Sequence, residues 1–253
     1  MPGFLTKQER VAVDGVDDLL IRSLLDREQF ADPLGAAEAL GISSAAWPLF
    51  GLTWPSGAQL AARLARRPVQ GDERILEIGC GLALASLVGH RRGANITASD
   101  CHPLAGGFLA HNVSLNALQP LPYRQGHWGT PLLALDAGDE VGLAATRRDG
   151  TVAADSLAAV DRVRGRYDMV IGSDVLYERD TDGALAGFID RHAKLRAEVW
   201  IVDPDRGNRA AFSRRMATLG FTLDERRLDQ PAVGTLAAYK GRLLTYRRGA
   251  QNA

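Results

Sequence analysis

Short apolar runs alternate with stretches of helical spacing along most of the chain. Four of these runs predict β-strands, at residues 74–78, 95–98, 167–171 and 198–202. Apolar residues at helical spacing predict helices between and after them, at residues 83–91, 103–118, 182–195 and 209–219. Strands that alternate with helices build βαβ units with right-handed crossovers, so we expect an α/β fold with a doubly wound, mostly parallel sheet.

The two ends of the chain show different patterns. Three helix-like stretches precede the first strand, at residues 16–28, 32–40 and 57–66. At the other end, residues 221–228 and 236–246 resemble two strands without a helix between them, which predicts an antiparallel pair at the sheet edge. We therefore expect an N-terminal helical cap at residues 1–56 and a domain that contains the sheet at residues 57–253.

One long stretch fits neither pattern. Residues 131–165 are charged and rich in alanine, with few large apolar side chains. Loops of this length are uncommon in compact domains unless they have a function or elements of their own. We interpret the stretch as an insertion that holds either a short surface hairpin or helix, or a flap.

A glycine loop follows the first predicted strand, in the segment ILEIGCGLALAS at residues 75–86. Gly79 and Gly81 let the backbone turn tightly, and the following helix offers free amide groups at its N-terminus. Dinucleotide-binding loops carry a third glycine, which is missing from residues 82–84 here. Glu77 would repel a pyrophosphate but suits a cationic amino-acid end, so the loop favours S-adenosylmethionine over NAD.

An acidic residue ends the second predicted strand. Asp100 stands 21 residues after Gly79, where an acid binds the ribose hydroxyls in nucleotide-binding βαβ folds. In the alternative interpretation, Asp100 only caps the helix that begins near Pro103. The glycine loop, Glu77 and Asp100 taken together favour a nucleoside-containing ligand.

A second group of polar residues follows the strand at residues 167–171, in the segment GSDVLY. Ligands of open α/β sheets bind beyond the carboxyl ends of the strands. Ser173, Asp174 and Tyr177 are therefore expected near the reacting end of the ligand. A purely structural alternative stays open, in which Asp174 caps a turn and Tyr177 packs against the sheet.

These motifs together resemble the seven-strand, class I S-adenosylmethionine-dependent methyltransferases. Within that class they resemble the family that includes the lysine methyltransferases of the electron-transfer-flavoprotein β-subunit, of Hsp70-type chaperones and of valosin-containing protein, and the bacterial nicotinamide N-methylase-like proteins. Two further segments match this family, Trp-Pro-Ser-Gly at residues 54–57 and His-Trp-Gly at residues 127–129. The family's Asp-x-x-Tyr motif falls on Asp174 and Tyr177. Asp-Pro-Asp-Arg-Gly at residues 203–207 resembles the segment that follows the fifth strand of the sheet domain in some bacterial members.

The resemblance implies a Rossmann-like sheet of seven strands and S-adenosylmethionine as cofactor, with residues 131–165 beside the substrate side. It implies a cofactor site lined by Trp54, Glu77, Gly79, Cys80, Gly81, Asp100, Trp128 and Ser173. It also implies Asp174 and Tyr177 as catalytic residues, with Asp174 accepting a hydrogen bond from an acceptor amine. The chain departs from the family at Ala83, where a glycine is common, and at His127, where an acid often precedes the tryptophan.

The balance of charged residues and the spacing of the cysteines argue against several classes of function. The chain carries 30 basic and 30 acidic residues, so it lacks the basic excess of a dedicated nucleic-acid binder. The Asn-Pro-Pro-Tyr signature of enzymes that methylate amino groups of nucleic acids is replaced by Ser-Asp-Val-Leu at residues 173–176. Cys80 and Cys101 have neither metal-ligand nor disulfide-framework spacing, so we expect no metal and a reducing, cytoplasmic setting.

The sequence leaves three interpretations open for the acceptor. We favour methylation of a protein lysine side chain over a small-molecule N-methyltransferase that shares the cofactor chemistry. A non-catalytic, cofactor-binding partner subunit is the third alternative. The chain has no signal-peptide core and no apolar run of the roughly 18 residues that span a membrane, so we expect no membrane partner. Nothing in the pattern indicates an oligomeric state.

Overall fold

A computed structural model describes residues 3–129, 162–177, 182–232, 234 and 238–249 of the chain. The strands within these ranges are β1 Thr6–Val11, β2 Leu19–Leu24, β3 Arg74–Ile78, β4 Asn95–Asp100, β5 Tyr123–Gln125, β6 Tyr167–Ser173, β7 Ala193–Asp203, β8 Thr222–Gln230 and β9 Tyr239–Arg248. The helices are α1 Pro55–Arg66, α2 Leu84–Arg91, α3 Ala105–Leu115, α4 Ala184–His192 and α5 Arg209–Thr218.

Seven of the strands form one sheet in the order β5-β4-β3-β6-β7-β9-β8. The first five strands of that order are parallel, and β9 pairs antiparallel with both β7 and β8. The chain leaves β3 toward β4 on one side and returns to β6 on the other side. The crevice between β3 and β6 is therefore the topological switch point at which ligands bind in open α/β sheets. The predicted seven-strand sheet with an antiparallel C-terminal edge pair is confirmed.

The alternation of side chains along the central strands divides the core between the two faces of the sheet. Ile75 of β3 and Ile171 of β6 join the apolar cluster that packs α1, α2 and α3. Leu76 and Val170, one position along the same strands, join the cluster that packs α4 and α5. Successive residues of a strand point to opposite faces, so helices on both faces require the continuous apolar runs seen in these strands.

The prediction of N-terminal helices is wrong for the first two stretches. Residues 16–28 contain the strand β2, which pairs antiparallel with β1 in a separate two-stranded sheet. Leu19, Ile21 and Ser23 are buried while the residues between them are partly exposed, which is the period of a strand. The apolar residues of LLIRSLL fit the period of a helix as well as that of a strand. Contacts with the rest of the fold stabilise the strand.

Residues 32–40 hold only a single 3-10 turn at Glu38–Leu40. The Asp32 carboxylate accepts hydrogen bonds from the backbone N–H groups of Ala37, at 3.0 Å, and Glu38, at 2.9 Å. A side chain that binds nearby amides in this way competes with helix formation, which explains the loop. The third predicted helix is confirmed as α1, which begins two residues early because Pro55 occupies its first turn.

The helix predicted at residues 182–195 ends at His192, because Ala193 already pairs with Tyr167 of β6. The segment before α1 shares its core with the sheet domain, since Leu19, Ile21 and Trp47 lie in the cluster that packs α1 to α3. The division of the chain after residue 56 stays a prediction. Most of the proposed insertion, residues 131–161, lies outside the described residues.

Candidate active site

A cavity of about 650 Å³ opens at the carboxyl ends of β3, β4 and β6, at the topological switch point. The structure brings every residue that the sequence singled out for the site to the wall of this one cavity. They are Trp54, Glu77, Gly79, Cys80, Gly81, Asp100, Trp128, Ser173, Asp174 and Tyr177. Their individual roles stay predictions.

The glycine loop has a backbone that only glycine adopts without strain. Gly79 and Gly81 have φ angles of 54° and 51°, in the left-handed region. A Cβ at Gly79 would lie 2.9 Å from Val175 Cγ1, and one at Gly81 would lie 2.9 Å from the carbonyl oxygen of Phe50. Both positions therefore need glycine for conformation and for space. Ala83, which replaces the family's glycine, also has a positive φ of 59°.

Asp100 organises the loop from the end of the neighbouring strand. Its side chain is buried, and Oδ2 accepts a hydrogen bond of 2.8 Å from the backbone N–H of Gly81. Oδ1 accepts one of 2.9 Å from the N–H of His102, in the turn before α3. Asp100 does not cap α3 itself, because that helix begins at Ala105 with Leu104 as its N-cap. The backbone and side chain of Cys101 also form hydrogen bonds with this carboxylate.

Glu77 connects β3 to the helix after the glycine loop. Its Oε2 accepts a hydrogen bond of 2.7 Å from the backbone N–H of Ser86, in the first turn of α2. Burial raises the pKa of Glu77 to about 7, and burial likewise raises the pKa values of Asp100 and of the Cys80 thiol. A cationic ligand in the cavity would stabilise the ionised carboxylates and oppose this effect.

Two tryptophans form part of the cavity wall. Trp54 immediately precedes α1, and its indole Nε1 donates a hydrogen bond of 2.9 Å to the carbonyl oxygen of Leu49. The Trp128 ring faces Gly79, where a Cβ would lie 3.4 Å from its Cζ2 atom. Next to Trp128, the Nε2 atom of His127 lies 3.2 Å from the carbonyl oxygen of Leu40, which ties this loop to the N-terminal segment.

The end of β6 contains a strained acidic residue. Asp174 has a φ angle of 58°, which is uncommon for a residue with a side chain. Its backbone N–H donates a hydrogen bond of 3.0 Å to the carbonyl oxygen of Val202 on β7. Strain of this kind concentrates at functional sites. Tyr177 lies on the cavity wall with 43% of its surface exposed, and its role stays a prediction.

Sequence reasoning missed a cation beside Asp174. Nη2 of Arg206 lies 2.8 Å from Asp174 Oδ1, and the guanidinium carbon lies 5.6 Å from the centre of the Trp54 ring. The Asp-Pro-Asp-Arg-Gly segment was noticed, but nothing in its pattern indicated a partner 32 residues earlier in the chain.

The buried His102 was missed as well. Its ring stacks on Phe50 at a centroid distance of 3.7 Å and forms part of the cavity wall. Its place two residues after Asp100 was the only signal in the sequence. Burial lowers the pKa of His102 to about 4, so the ring is neutral near pH 7.

The charge of the cavity wall is predominantly negative. The described lining residues include four carboxylic acids and a single arginine or lysine. The acids are Glu77, Asp100, Asp174 and Asp182, and the cation is Arg206. Such a wall attracts a ligand that carries positive charge. Across the described ranges, no group of three His, Cys, Asp or Glu side chains is arranged to hold a metal ion.

Comparison with known proteins finds partial relatives and structural neighbours. No family model matches the chain. The electron transfer flavoprotein β-subunit lysine methyltransferase of Rattus norvegicus is 34% identical over 77 residues, which are 30% of this chain and 30% of that protein. The Homo sapiens protein is 32% identical over 77 residues, 30% of this chain and 29% of the human one. The chain thus matches less than a third of the length of these curated relatives.

Two solved structures are similar over most of their length. Magnesium protoporphyrin IX methyltransferase from Synechocystis, with bound S-adenosylhomocysteine, has a TM-score of 0.51 at 15% identity and covers 77% of this chain and 84% of its own. A methyltransferase from Pyrococcus furiosus has a TM-score of 0.50 at 17% identity, covering 84% and 97%. The chain has the fold of the S-adenosylmethionine-dependent methyltransferases. The methyltransferase fold predicted from the glycine loop and its neighbours is confirmed.

The surface helices of this methyltransferase fold are short. Within the described residues, no helix has both the length and the apolar character needed to cross a membrane. The cytoplasmic location stays a prediction.

Proposed function

We propose that the protein is an S-adenosylmethionine-dependent methyltransferase that acts on an amine, with a protein lysine side chain as the favoured acceptor. The observation that carries this proposal is the single cavity shared by the glycine loop, Asp100 and the Asp174–Tyr177 motif. The cavity lies where a methyltransferase fold binds its cofactor, and the acidic residue that would orient an acceptor lies on its wall.

The residues of the cavity suit this cofactor in shape and charge. At Gly81 even a methyl group would collide with the Phe50 carbonyl oxygen, so a residue with a side chain there would displace the loop that lines the cavity. Asp100, on the cavity wall, would accept hydrogen bonds from the ribose hydroxyls. The acidic wall suits a ligand with a sulfonium and an ammonium group, whereas it would repel the pyrophosphate of NAD.

The chain's own residues would mainly position the acceptor. When bound, S-adenosylmethionine supplies an electrophilic methyl group on its sulfonium. A lysine amine must lose a proton to water before it attacks, which costs roughly 4–5 kcal/mol at neutral pH. Asp174 would accept a hydrogen bond from the amine and aim its lone pair at the methyl carbon. Alignment of this kind accounts for about 7–11 kcal/mol of barrier reduction in favourable cases.

Two observations favour a lysine acceptor. The curated relatives that match 30% of this chain are lysine methyltransferases by name. The rim also presents Asp174, Asp182 and the exposed Tyr177, a combination that suits a long alkyl chain ending in a cation. A small-molecule amine is the alternative that the same chemistry permits, and the experiment below distinguishes the two.

The proposal is tested first by binding and then by transfer. Calorimetric titration with S-adenosylmethionine and S-adenosylhomocysteine should give micromolar binding, and NAD should give none. A lysate is then incubated with the protein and methyl-labelled cofactor, and a second lysate is acetylated beforehand to block its lysines. Label in protein that disappears on acetylation supports lysine, and label in the low-mass fraction supports a small molecule. Cofactor binding without transfer to either would indicate a non-catalytic subunit, and absence of binding would refute the proposal.

A further inference from the structure

The turn after β7 holds Arg206 in a fixed position. Asp203 is buried, and its Oδ2 accepts hydrogen bonds from the backbone N–H groups of Asp205, at 2.9 Å, and Arg206, at 3.3 Å. Asp205 has a strained φ of 68°, and its carboxylate pairs with Arg209 at 2.7 Å and Arg242 at 3.1 Å. These contacts leave the backbone of the turn, including that of Arg206, little freedom to move.

The Arg206 side chain reaches the acceptor end of the cavity. Strands β6 and β7 are parallel neighbours in which Ser173 pairs with Val202, so the residues after them lie side by side. Arg206 Nη2 lies 2.8 Å from Asp174 Oδ1, and the guanidinium carbon lies 5.6 Å from the Trp54 ring centre. The carboxylate that the proposed function assigns to the acceptor amine is therefore already paired with a cation.

The surroundings of Asp174 determine what this pair does. Asp203 and Tyr239 interact electrostatically with Asp174, and Asp205 interacts with Asp203. Tyr177 and Asp182 line the same cavity. Burial raises the pKa of Asp203, and burial raises that of Tyr239 to about 12, so Tyr239 carries no charge near neutral pH. Among the described residues that line the cavity, Arg206 is thus the one permanent cation that offsets Asp174.

An unpaired carboxylate beside the acceptor would have two opposite effects. It would attract the ammonium form of an amine and bind it more tightly, because an opposite charge at short range favours the charged state. That form has no lone pair and cannot attack a methyl group. A carboxylate neutralised by a guanidinium still accepts a hydrogen bond from the amine but gives the ammonium form much less advantage.

We propose that Arg206 is a positioning residue that neutralises Asp174, so that the acceptor amine binds as the uncharged nucleophile. This inference rests on the proposed function, since it takes the acceptor and the transferred methyl group to lie beside Asp174. Arg206 acts through Asp174 and is not assigned a contact with the reacting atoms.

Sinefungin tests this inference by binding alone. In this cofactor analogue a carbon with a primary amine replaces the sulfonium and its methyl, so an ammonium group occupies the methyl position. S-adenosylhomocysteine has no charge there. The ratio of the two dissociation constants therefore measures how strongly the acceptor end attracts a cation. R206Q should raise the preference for sinefungin about tenfold at pH 7. An opposite charge nearby that shifts the pKa of an amine by roughly one unit changes the affinity for its charged form by this factor.

Further variants separate the charge effect from a structural one. R206K restores the cation and should keep the wild-type ratio, and R227Q makes the same change at an exposed arginine that pairs with Asp229. D174N leaves the Arg206 cation unopposed and should lower the preference for sinefungin, and R206Q in that background should return the ratio toward the wild-type value. A wild-type ratio in R206Q, with S-adenosylhomocysteine affinity intact, would overturn this inference and leave the proposed function standing. Failure of the wild-type protein to bind either ligand would overturn both.

Discussion

Asp100 Oδ2 accepts a hydrogen bond of 2.8 Å from the backbone N–H of Gly81, so the acid at the end of β4 also fixes the loop after β3. One side chain thus prepares the site from two adjacent strands. The same carboxylate holds the turn at His102 through its other oxygen. Removing it is expected to disturb the backbone of the site as well as its contacts with a ligand.

We expect Asp100→Ala to weaken binding of S-adenosylhomocysteine at least about tenfold. The backbone N–H groups of the loop would lose their hydrogen-bond acceptor, and the ligand would lose the contacts of its ribose hydroxyls with the carboxylate. Asp100→Asn retains one acceptor oxygen and should be less destabilised than the alanine variant, while still losing affinity. Calorimetric titration and urea unfolding of both variants measure these effects. Asp72→Ala, at an exposed loop position before β3, is the control and should match the wild type.

The close approach of Gly81 to Phe50 predicts a second outcome. Gly81→Ala must accommodate both a left-handed backbone, at about 1–2 kcal/mol, and a Cβ 2.9 Å from the Phe50 carbonyl oxygen. Gly93→Ala has the same backbone problem, with a φ of 82°, but its Cβ would have no atom within 4 Å. Unfolding and titration should therefore show a larger loss for Gly81→Ala. Equal losses in the two variants would contradict the tight contact.

The strained backbone of Asp174 determines which variant tests its chemistry. Asparagine tolerates a left-handed backbone better than alanine does, so Asp174→Asn removes the charge with little change in conformation. We expect it to retain affinity for S-adenosylhomocysteine and to lose about a hundredfold or more of methyl transfer. Asp224→Asn, at a carboxylate with 73% of its side chain exposed, is the matched control. Normal turnover by Asp174→Asn would refute the predicted role.

How far the sequence predicted this fold depends on whether the deciding contacts are local. Strand β3 and the glycine loop were predicted closely, because an apolar run, glycines and a helix follow one another within 15 residues of sequence. Strand β2 was mistaken for a helix because its conformation depends on α3, about 90 residues later. Asn112 Oδ1 accepts a hydrogen bond from the backbone N–H of Arg22, and Asn116 Oδ1 accepts one from the backbone N–H of Leu20. These two side chains thus make hydrogen bonds that a neighbouring strand would otherwise supply.

The residues of the candidate site were likewise predicted where their placement follows from the strand order and missed where it depends on distant contacts. Its ten predicted residues lie near or beyond the carboxyl ends of strands or flank a helix, where the position in a parallel sheet is enough to bring them together. Arg206 could not be predicted in its role, because its contact with Asp174 depends on the pairing of β6 with β7 and on the Asp203 turn. Residues 40–52 also line the cavity in part, without any periodic signal in their sequence.

The contact between α3 and β2 predicts a stability effect. Asn112 is fully buried, and its Nδ2 donates to the carbonyl oxygen of Arg22 at 3.3 Å while Oδ1 accepts the N–H at 2.8 Å. Asn112→Asp keeps the acceptor but loses the donor and buries an acid, so we expect a loss of about 1–3 kcal/mol. Hydrogen exchange should speed up at Leu20 and Arg22. Asn95→Asp, at an exposed position, is the control, and unchanged exchange in Asn112→Asp would contradict the assignment.

Burial of Glu77 predicts a stability change with pH. Its pKa rises from 4.5 to about 7 on folding, so between these values the unfolded chain has released a proton that the folded protein retains. Stability contributed by this residue is therefore fully present below pH 4.5, falls as the pH rises to about 7 and stays low above it. The loss is on the order of 3 kcal/mol. Glu77→Gln keeps an acceptor for Ser86 but cannot ionise, so its stability should rise relative to the wild type between pH 4.5 and pH 8. Urea unfolding of both proteins across this range measures the difference, and a difference that does not change with pH would show that Glu77 ionises normally in the folded protein.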